Sequence, residues 1–453
     1  MGMDYQSFLK SKAHPDALFG FKPLWLPDWL FAFQRHLVEW AVRKGRCALY
    51  EDCGLGKGPQ QLVWAENMVR KTKMPVLILA PLAVSAQFVR EGEKFGITVH
   101  RTRDGKVHKG INVTNYEQMD KYNPGDFGAV SGDESGCIKH HDSKTRKRVV
   151  QFFNKVQYRL LCTATPAPND YMELGSSAEA LGVMTSSRML GTFFTHDTED
   201  TQQWSLKGHA AKRFWKWVCT WARAVRKPSD LGFSDAGFIL PKLTVNKHEL
   251  TRPWTGGGFA QLLGARTLTK QRQEKKKSTQ ERCGKVAELV RQNGGSSVVW
   301  CHHNDEGDLL EELIPGAVQV SGGDSDRVKE DRFMAFAEGD FPVLVTKPKI
   351  GGWGLNWQHC NHMTWFVSHS FEAYYQAVRR CWRFGQKRPV TVDMVLSQGE
   401  RQVIANLSRK ERQAEAMFSS LVASMAEHQN PKKQSTNGQM TMEIPAWLNG
   451  GGG

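Results

Sequence analysis

The chain has 453 residues, of which 40% are hydrophobic and 24% charged, so it is long enough to fold as two or three domains with separate cores. Lys and Arg outnumber Asp and Glu by 61 to 46, and the resulting net charge of +15 favours a polyanionic partner, with nucleic acid ahead of an acidic membrane surface. The nine cysteines are scattered without a C-x-x-C pair, which argues against a disulfide framework or a zinc ribbon and favours a reducing, cytoplasmic environment.

The sequence also gives no sign of membrane insertion. The N-terminal stretch MGMDYQSFLKSK lacks the apolar core of a signal peptide, and the longest apolar run, VLILAPLAV, is too short to span a bilayer. We therefore expect a soluble chain without a membrane partner, located in the cytoplasm.

The first part of the chain, residues 25–178, alternates short β-rich runs with amphipathic stretches. This rhythm is typical of βαβ units, which form a parallel sheet with helices on both faces. The expected strands are CALYE, VLILAP, INVTN, FGAV and YRLLCTA. Residues 1–24 form a separate N-terminal segment.

The stretch CALYEDCGLGKGPQQ predicts a phosphate-binding loop between a strand and a helix. Gly54 and Gly56 let the backbone turn so that N–H groups face a phosphate, with Leu55 between them, and Lys57 supplies the cation. Gly58, however, stands where a Ser or Thr hydroxyl usually binds Mg²⁺, and Glu51 replaces the first glycine of the strict pattern.

FGAVSGDESG places Asp133 and Glu134 after a short apolar run. In this position, downstream of a phosphate-binding loop, Asp133 is expected to bind Mg²⁺ and Glu134 to orient or deprotonate the attacking water. Out of this context, an exposed Asp-Glu pair in a turn is the alternative.

Residues 179–294 have a different composition and are expected to form a helical, basic connector. KRFWKWVCTWARAVRK carries Trp215, Trp217 and Trp221, which could stack on bases but are more typical of a helix core. The basic run between residues 266 and 285 predicts a solvated helical face that could also meet phosphates.

The βαβ rhythm returns over residues 295–425 and predicts a second α/β domain. Its strands are SSVVWCH, AVQVSG, FPVLVTK, HMTWFVS and PVTVDMV. In WCHHND, the adjacent Cys301, His302 and His303 would alternate across a strand and make poor ligands for one metal. The polar, Gly-rich tail, residues 426–453, predicts disorder.

Three further stretches, LLCTATPAPND, TKPKIGGWGLNWQHC and YYQAVRRCWRFGQKRPV, complete a recognisable order of motifs. With them the chain resembles the superfamily 2 helicase-like ATPases of the Swi/Snf-like branch, which translocate on double-stranded DNA. The most specific match is Gln-x-x-x-Arg-x-x-Arg-x-Gly-Gln, from Gln376 to Gln386. The compact length and the RKPSDLG connector resemble the DEAD-like helicases that tailed phages and prophages encode.

This resemblance implies two RecA-like lobes, ATP and Mg²⁺ as cofactors and roles for individual residues. It implies that Gln34 reads the adenine, that Gly354 and Gln376 lie near the nucleotide, and that Arg380 and Arg383 face the γ-phosphate from the second lobe. The residues it implies for DNA contact or for coupling are Asn115, Tyr116, Thr163, Ala164, Thr165, Gly352 and Asn356.

Physical reasoning supports the arginine role. A γ-phosphoryl transition state spreads negative charge over several oxygens, and a guanidinium from a second domain neutralises it only when the lobes close. Arg380 and Arg383 are three residues apart, so one helical face could present both.

The sequence therefore predicts an α/β protein that works as an ATP-dependent motor on duplex DNA without sequence preference. Gly58, Gly132 and Gly136 depart from the family pattern and loosen the site. Because of them, a nucleotide-gated DNA-binding scaffold with little hydrolysis stays open as the alternative, and an RNA helicase is a third, less favoured interpretation.

Overall fold

The structure, a computed structural model, describes residues 18–138, 144–196, 204–250, 279–352, 356–397 and 400–429. Each of the ten predicted runs corresponds to a strand, and the described residues contain five further strands that were not predicted. The strands are β1 Arg46–Glu51, β2 Val76–Ala80, β3 Val99–Arg101, β4 Ile111–Asn115, β5 Ala129–Gly132, β6 Tyr158–Thr163, β7 Phe194–His196, β8 Trp204–Leu206, β9 Ala222–Val225, β10 Leu243–Leu250, β11 Ser297–Trp300, β12 Ala317–Val320, β13 Val343–Thr346, β14 His362–Phe366 and β15 Val390–Ser397.

Amphipathic helices lie between these strands. They are α1 Ala32–Lys44, α2 Lys57–Thr72, α3 Leu82–Phe95, α4 Lys144–Asn154, α5 Leu174–Leu181, α6 Ser186–Phe193, α7 Ala211–Trp221, α8 Thr279–Asn293, α9 Asn304–Leu313, α10 Asp326–Glu338, α11 Pro348–Gly351, α12 Phe371–Cys381 and α13 Arg401–Gln429. None of the described helices is long and apolar enough to cross a membrane.

The strands form two parallel sheets, one in each lobe. The first has the order β3-β4-β2-β5-β6-β1-β9 and the second the order β10-β15-β14-β11-β13-β12, while β7 and β8 form a separate antiparallel hairpin. Parallel strands need crossover connections, and the helices between them supply these. The predicted fold class, α/β with two RecA-like parallel-sheet lobes, is confirmed.

Both faces of the central strands are covered, which explains why strands such as β2 and β11 are apolar rather than alternating with polar residues. In β2, Leu77 and Leu79 pack into one core cluster, whereas Ile78 packs into the other. In β11, Val298 and Val299 divide in the same way between the two clusters of the second lobe. The sheets therefore hold the loops at their carboxyl edges firmly in place.

The middle of the chain differs from the helical connector that the sequence predicts. Residues 222–225 form β9 and complete the first sheet, whereas residues 243–250 form β10 at the edge of the second sheet. The three tryptophans Trp215, Trp217 and Trp221 are at most 7% exposed and belong to the core of the first lobe, so the base-stacking interpretation is wrong. Most of the basic run, residues 266–278, lies outside the described residues.

Helix α13 joins the two lobes. It follows β15 of the second lobe and packs against α7 and β9 of the first, where Arg226 pairs with Glu415 and the Cys219 thiol donates to the Leu421 carbonyl. The helix runs to Gln429, beyond the predicted start of the tail at residue 426. The remainder of the tail lies outside the described residues.

Candidate nucleotide site between the two lobes

The loop between β1 and α2 has the backbone of a phosphate-binding turn. Gly54 and Gly56 have φ angles of +90° and +84°, a region in which a side chain is strained, and Gly56 is the N-cap of α2. The positive end of the α2 dipole therefore points at the loop. Phosphate binding by this loop stays a prediction, but Gly54 and Gly56 have the backbone conformation that such a turn requires.

Lys57, the first residue of α2, turns back toward the end of β1. Its ammonium group donates to the carbonyls of Glu51 and Asp52 at 2.8 and 3.2 Å. Burial would lower the pKa of Lys57, but Cys53 and the carboxyl groups of Glu134, Glu51 and Asp133 outweigh it and raise that pKa. The lysine is thus held cationic at the loop.

Gln34 supports the loop from α1. Its amide nitrogen donates to the Leu55 carbonyl at 2.7 Å, and its amide oxygen accepts from the Phe31 backbone at 3.1 Å. A Cβ at Gly56 would lie 2.3 Å from the same amide nitrogen, so the glycine is needed for this contact. Gln34 therefore lies beside the phosphate-binding turn, and the adenine-reading role stays a prediction.

Asp133 and Glu134 follow β5 and are both buried. Asp133 accepts a hydrogen bond of 2.7 Å from the Gln61 amide of α2, and burial together with the charge of Glu134 raises the pKa of Asp133 to about 7. Ser131 of β5 donates to the other end of Gln61 at 2.8 Å. Ser131 and Asp133 are thus tied to the phosphate-loop helix through one glutamine.

Glu134 has an unusual backbone. Its φ is +47°, one of two non-glycine residues with positive φ in the described part of the chain, and this strained conformation points to a constrained site. Gly136 lies close by: a Cβ there would come within 2.9 Å of the Glu372 carboxylate from the second lobe. The departure at this glycine therefore makes room for an acidic group of the opposite lobe.

The space beside Gly58 is filled by another residue. An ideal Cβ at Gly58 would lie 2.0 Å from Oε2 of Glu91, which belongs to α3. Burial raises the pKa of Glu91, while the Gln87 amide and the charge of Arg383 act in the opposite direction. The structure therefore places a carboxylate where the side chain of a Ser or Thr would lie.

These groups fit a nucleotide with its magnesium ion. Asp133, Glu134 and Glu91 converge on the turn of Gly56 and Lys57, and a divalent cation would relieve the repulsion between their charges. In the described residues no group of three or more His, Cys, Asp or Glu is arranged to hold a metal by itself. Mg²⁺ is usually bound by one or two carboxylates together with phosphate oxygens and waters, and Asp133 is the residue here that would hold it.

The arginine motif of the second lobe lies directly opposite. A Cβ at Gly54 would come within 3.0 Å of the Phe384 backbone nitrogen, and Gln376 donates to Glu134 Oε2 at 3.5 Å across the boundary. Arg383 is half-buried, and burial together with Arg380 lowers its pKa to about 10, so it stays protonated at neutral pH. The structure therefore brings Arg383 and Gln376 to the phosphate-binding turn.

Arg380 is placed differently from Arg383. It is 2% exposed, and its guanidinium donates to the backbone carbonyl and the side-chain oxygen of Gln376 at 2.9 and 2.8 Å. The two arginines of the motif thus differ in their hydrogen-bond partners, although their charges interact. Arg380 holds Gln376 in place, whereas Arg383 lies within electrostatic range of Glu91.

The linkage motif connects Glu134 with the second lobe. Thr163, at the end of β6, donates to Glu134 Oε2 at 3.4 Å and accepts from the Thr165 backbone at 3.1 Å. The Thr165 hydroxyl then donates to Glu372 of α12 at 3.4 Å. Thr163, Thr165 and Glu372 therefore form a short polar path from the candidate catalytic carboxylate to the opposite lobe.

The other residues assigned to DNA contact are more dispersed. Tyr116 donates to the Asp133 carbonyl at 2.8 Å and lines a cavity of about 360 Å³ between the lobes, together with Glu134, Lys329 and Lys349. Asn115 is buried just before it, at the end of β4. Gly352 ends α11 in a buried position, Asn356 is exposed and contacts Gln358, and Gly354 lies outside the described residues.

Sequence reasoning missed several residues at this site. Asp52, two residues before Gly54, pairs with Arg379 and Tyr375 of α12. Gln61, in the second turn of α2, donates to Asp133, and Glu91 of α3 contacts α2 at Gly58. The glycine at position 58, where a Ser or Thr is expected, was the one signal in the sequence for Glu91, because a missing side chain leaves room that a neighbouring side chain must fill.

Comparison with known proteins finds similarity to solved structures. The Sulfolobus solfataricus SWI2/SNF2 ATPase core in complex with dsDNA is 17% identical, and the alignment covers 91% of this chain and 97% of that chain with a TM-score of 0.40. No protein-family profile and no curated protein matches the chain.

Proposed function

We propose that this chain is an ATP-dependent motor that translocates on duplex DNA without sequence preference. The observation that carries the proposal is the arrangement of Lys57, Asp133 and Glu134 in one lobe opposite Gln376 and Arg383 in the other. Two lobes that face each other across a nucleotide can close and open in turn, and this is how such a motor would step along a strand.

The residues present divide the chemistry in a consistent way. The backbone of Gly54 and Gly56 with Lys57 would hold the phosphates, and Asp133 would hold Mg²⁺. When bound, ATP supplies the phosphoryl group and Mg²⁺ offsets its charge. Glu134 would orient the attacking water, and Arg383 would stabilise the charge that develops on the phosphoryl oxygens.

Two further observations support DNA as the partner. The net charge of +15 favours a polyanion, and the order of the sequence motifs is that of the Swi/Snf-like translocases that the chain resembles. The path from Glu134 through Thr163 and Thr165 to Glu372 offers a way for the nucleotide state to reach the opposite lobe.

A scaffold that binds DNA and hydrolyses little is the second candidate. The observation in its favour is the exchange at Gly58, which removes a hydroxyl ligand for Mg²⁺. Weak binding and imprecise placement of the metal would leave ATP binding intact and slow its hydrolysis. The two candidates therefore differ in turnover rather than in binding.

A DNA-stimulated ATPase assay separates them. For a motor, duplex DNA should increase phosphate release by the wild-type chain, Lys57→Ala should abolish the increase, and Lys71→Ala, at the exposed end of the same helix, should behave like wild type. DNA binding without any stimulation would indicate the scaffold. Stronger stimulation by RNA than by DNA would indicate an RNA helicase. Displacement of a third strand from a triplex would then demonstrate translocation.

A further inference from the structure

The side chain of Glu91 fills the room that the missing side chain of Gly58 leaves. An ideal Cβ at Gly58 would lie 2.0 Å from Glu91 Oε2, 3.0 Å from its Cδ and 3.3 Å from Oε1. A Ser or Thr hydroxyl is one covalent bond beyond such a Cβ, so the carboxylate occupies the volume that the hydroxyl would need. A carboxylate oxygen is also a stronger ligand for a hard cation than a hydroxyl.

The carboxylate is oriented rather than loosely placed. Gln87, one turn earlier on α3, donates to Glu91 Oε1 at 2.7 Å, which leaves Oε2 directed at Gly58. Such a second hydrogen-bonded group is what fixes the direction of a metal ligand. The neighbouring Glu93 lies on the exposed side of the same helix and has no part in this contact.

Glu91 and Asp133 approach the same face of α2. Glu91 meets α2 at Gly58, and Asp133 meets it at Gln61 through a hydrogen bond of 2.7 Å. Residues three apart are neighbours on a helix surface, about 5 to 6 Å between their Cβ positions. The two carboxylates therefore converge on the first turns of the helix that holds the phosphates.

We propose that Glu91 takes over the task of the missing hydroxyl and is, with Asp133, the second protein ligand of the Mg²⁺ that accompanies ATP. The inference rests on the proposed function, since it assigns a metal ligand at that same site. It also explains why glycine is required at position 58: any larger residue would displace the carboxylate. The glycine at position 58 and the carboxylate of Glu91 thus replace the usual hydroxyl ligand together, and the site does not simply lose a ligand.

The test measures the binding of metal and nucleotide rather than turnover. ATP binding is followed by calorimetry in Mg²⁺ and in EDTA, and Mn²⁺ binding to the ATP complex by electron paramagnetic resonance, for wild type, Glu91→Gln and Glu93→Gln. Glu91→Gln keeps the shape of the side chain and an oxygen for Gln87, and a thermal melt verifies its fold. We expect it to raise the Mg²⁺ concentration for half-maximal ATP binding at least about tenfold and to weaken Mn²⁺ binding, with Glu93→Gln unchanged.

A second variant tests the exchange itself. Gly58→Thr together with Glu91→Ala restores a hydroxyl and removes the side chain that would clash with it, so its Mg²⁺ requirement should be lower than that of Glu91→Ala alone and closer to that of wild type. A double variant that requires as much Mg²⁺ as Glu91→Ala alone would contradict the exchange.

Two other outcomes would overturn the inference, and they can be told apart. If Glu91→Gln tightens ATP binding equally in Mg²⁺ and in EDTA, the carboxylate only repels the phosphates and is no ligand, while the proposed function stands. If the wild-type chain binds no ATP in either buffer, the proposed function fails and the inference fails with it.

Discussion

Asp52 of the first lobe and Arg379 of the second form a buried ion pair across the lobe boundary. Asp52 is 5% exposed and Arg379 is 4% exposed, and the Tyr375 hydroxyl donates to the same carboxylate. Burial would lower the pKa of Arg379, but Asp52 outweighs it and raises that pKa. The pair lies between the phosphate-binding turn and the arginine motif, so it couples their positions directly.

Removal of one partner should be costly. Asp52→Asn leaves the Arg379 guanidinium buried without a counter-charge, and Arg379→Met leaves the Asp52 carboxylate buried without one. Each variant should lower the free energy of unfolding by about 3 to 5 kcal/mol. The double variant should lose much less free energy of unfolding than the two single variants together, because neither charge is left unpaired. Chemical denaturation of the three variants measures this, and additive losses would show that the two residues do not interact.

Arg383 should act on hydrolysis rather than on binding. Its contact with the phosphoryl group would be strongest in the transition state, so Arg383→Ala should keep ATP affinity within a few-fold and reduce DNA-stimulated turnover by roughly 10³ to 10⁵. The exposed Arg388, five residues on, provides the matched control as Arg388→Ala. Wild-type turnover by Arg383→Ala would show that the arginine has no part in the reaction.

The strands and the phosphate-binding turn could be predicted because their signals are local. An apolar run such as residues 76–80 is typical of a strand in a parallel sheet that is covered on both faces, and the positive φ of Gly54 and Gly56 is available to glycine at little cost. Each of these inferences needs only a few neighbouring residues. No distant contact has to be known.

The missed features depend on distant contacts. Glu91 is 33 positions from Gly58, and its approach to the turn follows from how α3 packs on the sheet. Strand β9 is a short ARAV run whose Arg223 breaks any apolar pattern, although it pairs with β1 in the sheet. Trp217 and its neighbours were ambiguous because a helical aromatic face looks the same whether it meets a core or a base.

Asp393 should make the second lobe sensitive to acid. Burial would raise its pKa, but hydrogen bonds from His362 at 2.9 Å, His248 at 2.8 Å and Asn246 at 2.8 Å lower it well below the ordinary value. A carboxyl group with a lowered folded-state pKa contributes stability above its unfolded pKa of about 3.9, and the contribution is lost as the pH falls below that value.

Asp393→Asn tests this dependence. At pH 6 the variant should be less stable than wild type by about 1 to 3 kcal/mol, the range for hydrogen bonds to a charged group. The difference should shrink as the pH falls from about 4 toward 2, where wild type loses the same contribution. Denaturation curves at several pH values give the comparison, and a difference that stays constant over that range would contradict the assignment.

Binding to duplex DNA should be mainly electrostatic. Because the chain has a net charge of +15, we expect counterion release to dominate, and affinity should fall at least about a hundredfold between roughly 50 and 200 mM salt. Fluorescence anisotropy with two duplexes of equal length and unrelated sequence should give the same dependence, since backbone contacts carry no sequence information. Affinity that is independent of salt, or that differs strongly between the duplexes, would contradict this.

The contact between Thr165 and Glu372 should carry part of the communication between nucleotide and DNA. Thr165 is linked to Glu134 through hydrogen bonds of Thr163, and its hydroxyl donates to Glu372 of the second lobe at 3.4 Å. Thr165→Val preserves the shape of the side chain and removes only that hydroxyl. If the path transmits the nucleotide state, the variant should keep basal hydrolysis and ATP affinity but lose a several-fold part of the stimulation by DNA. Glu372→Gln should have a similar effect, and the double variant should be no worse than either single one, because both break the same contact.

The exposed Thr192, whose hydroxyl donates to the Arg188 carbonyl within α6, serves as the control, and Thr192→Val should leave the stimulation unchanged. Independent, multiplying losses for Thr165→Val and Glu372→Gln would mean that the two residues act through separate routes.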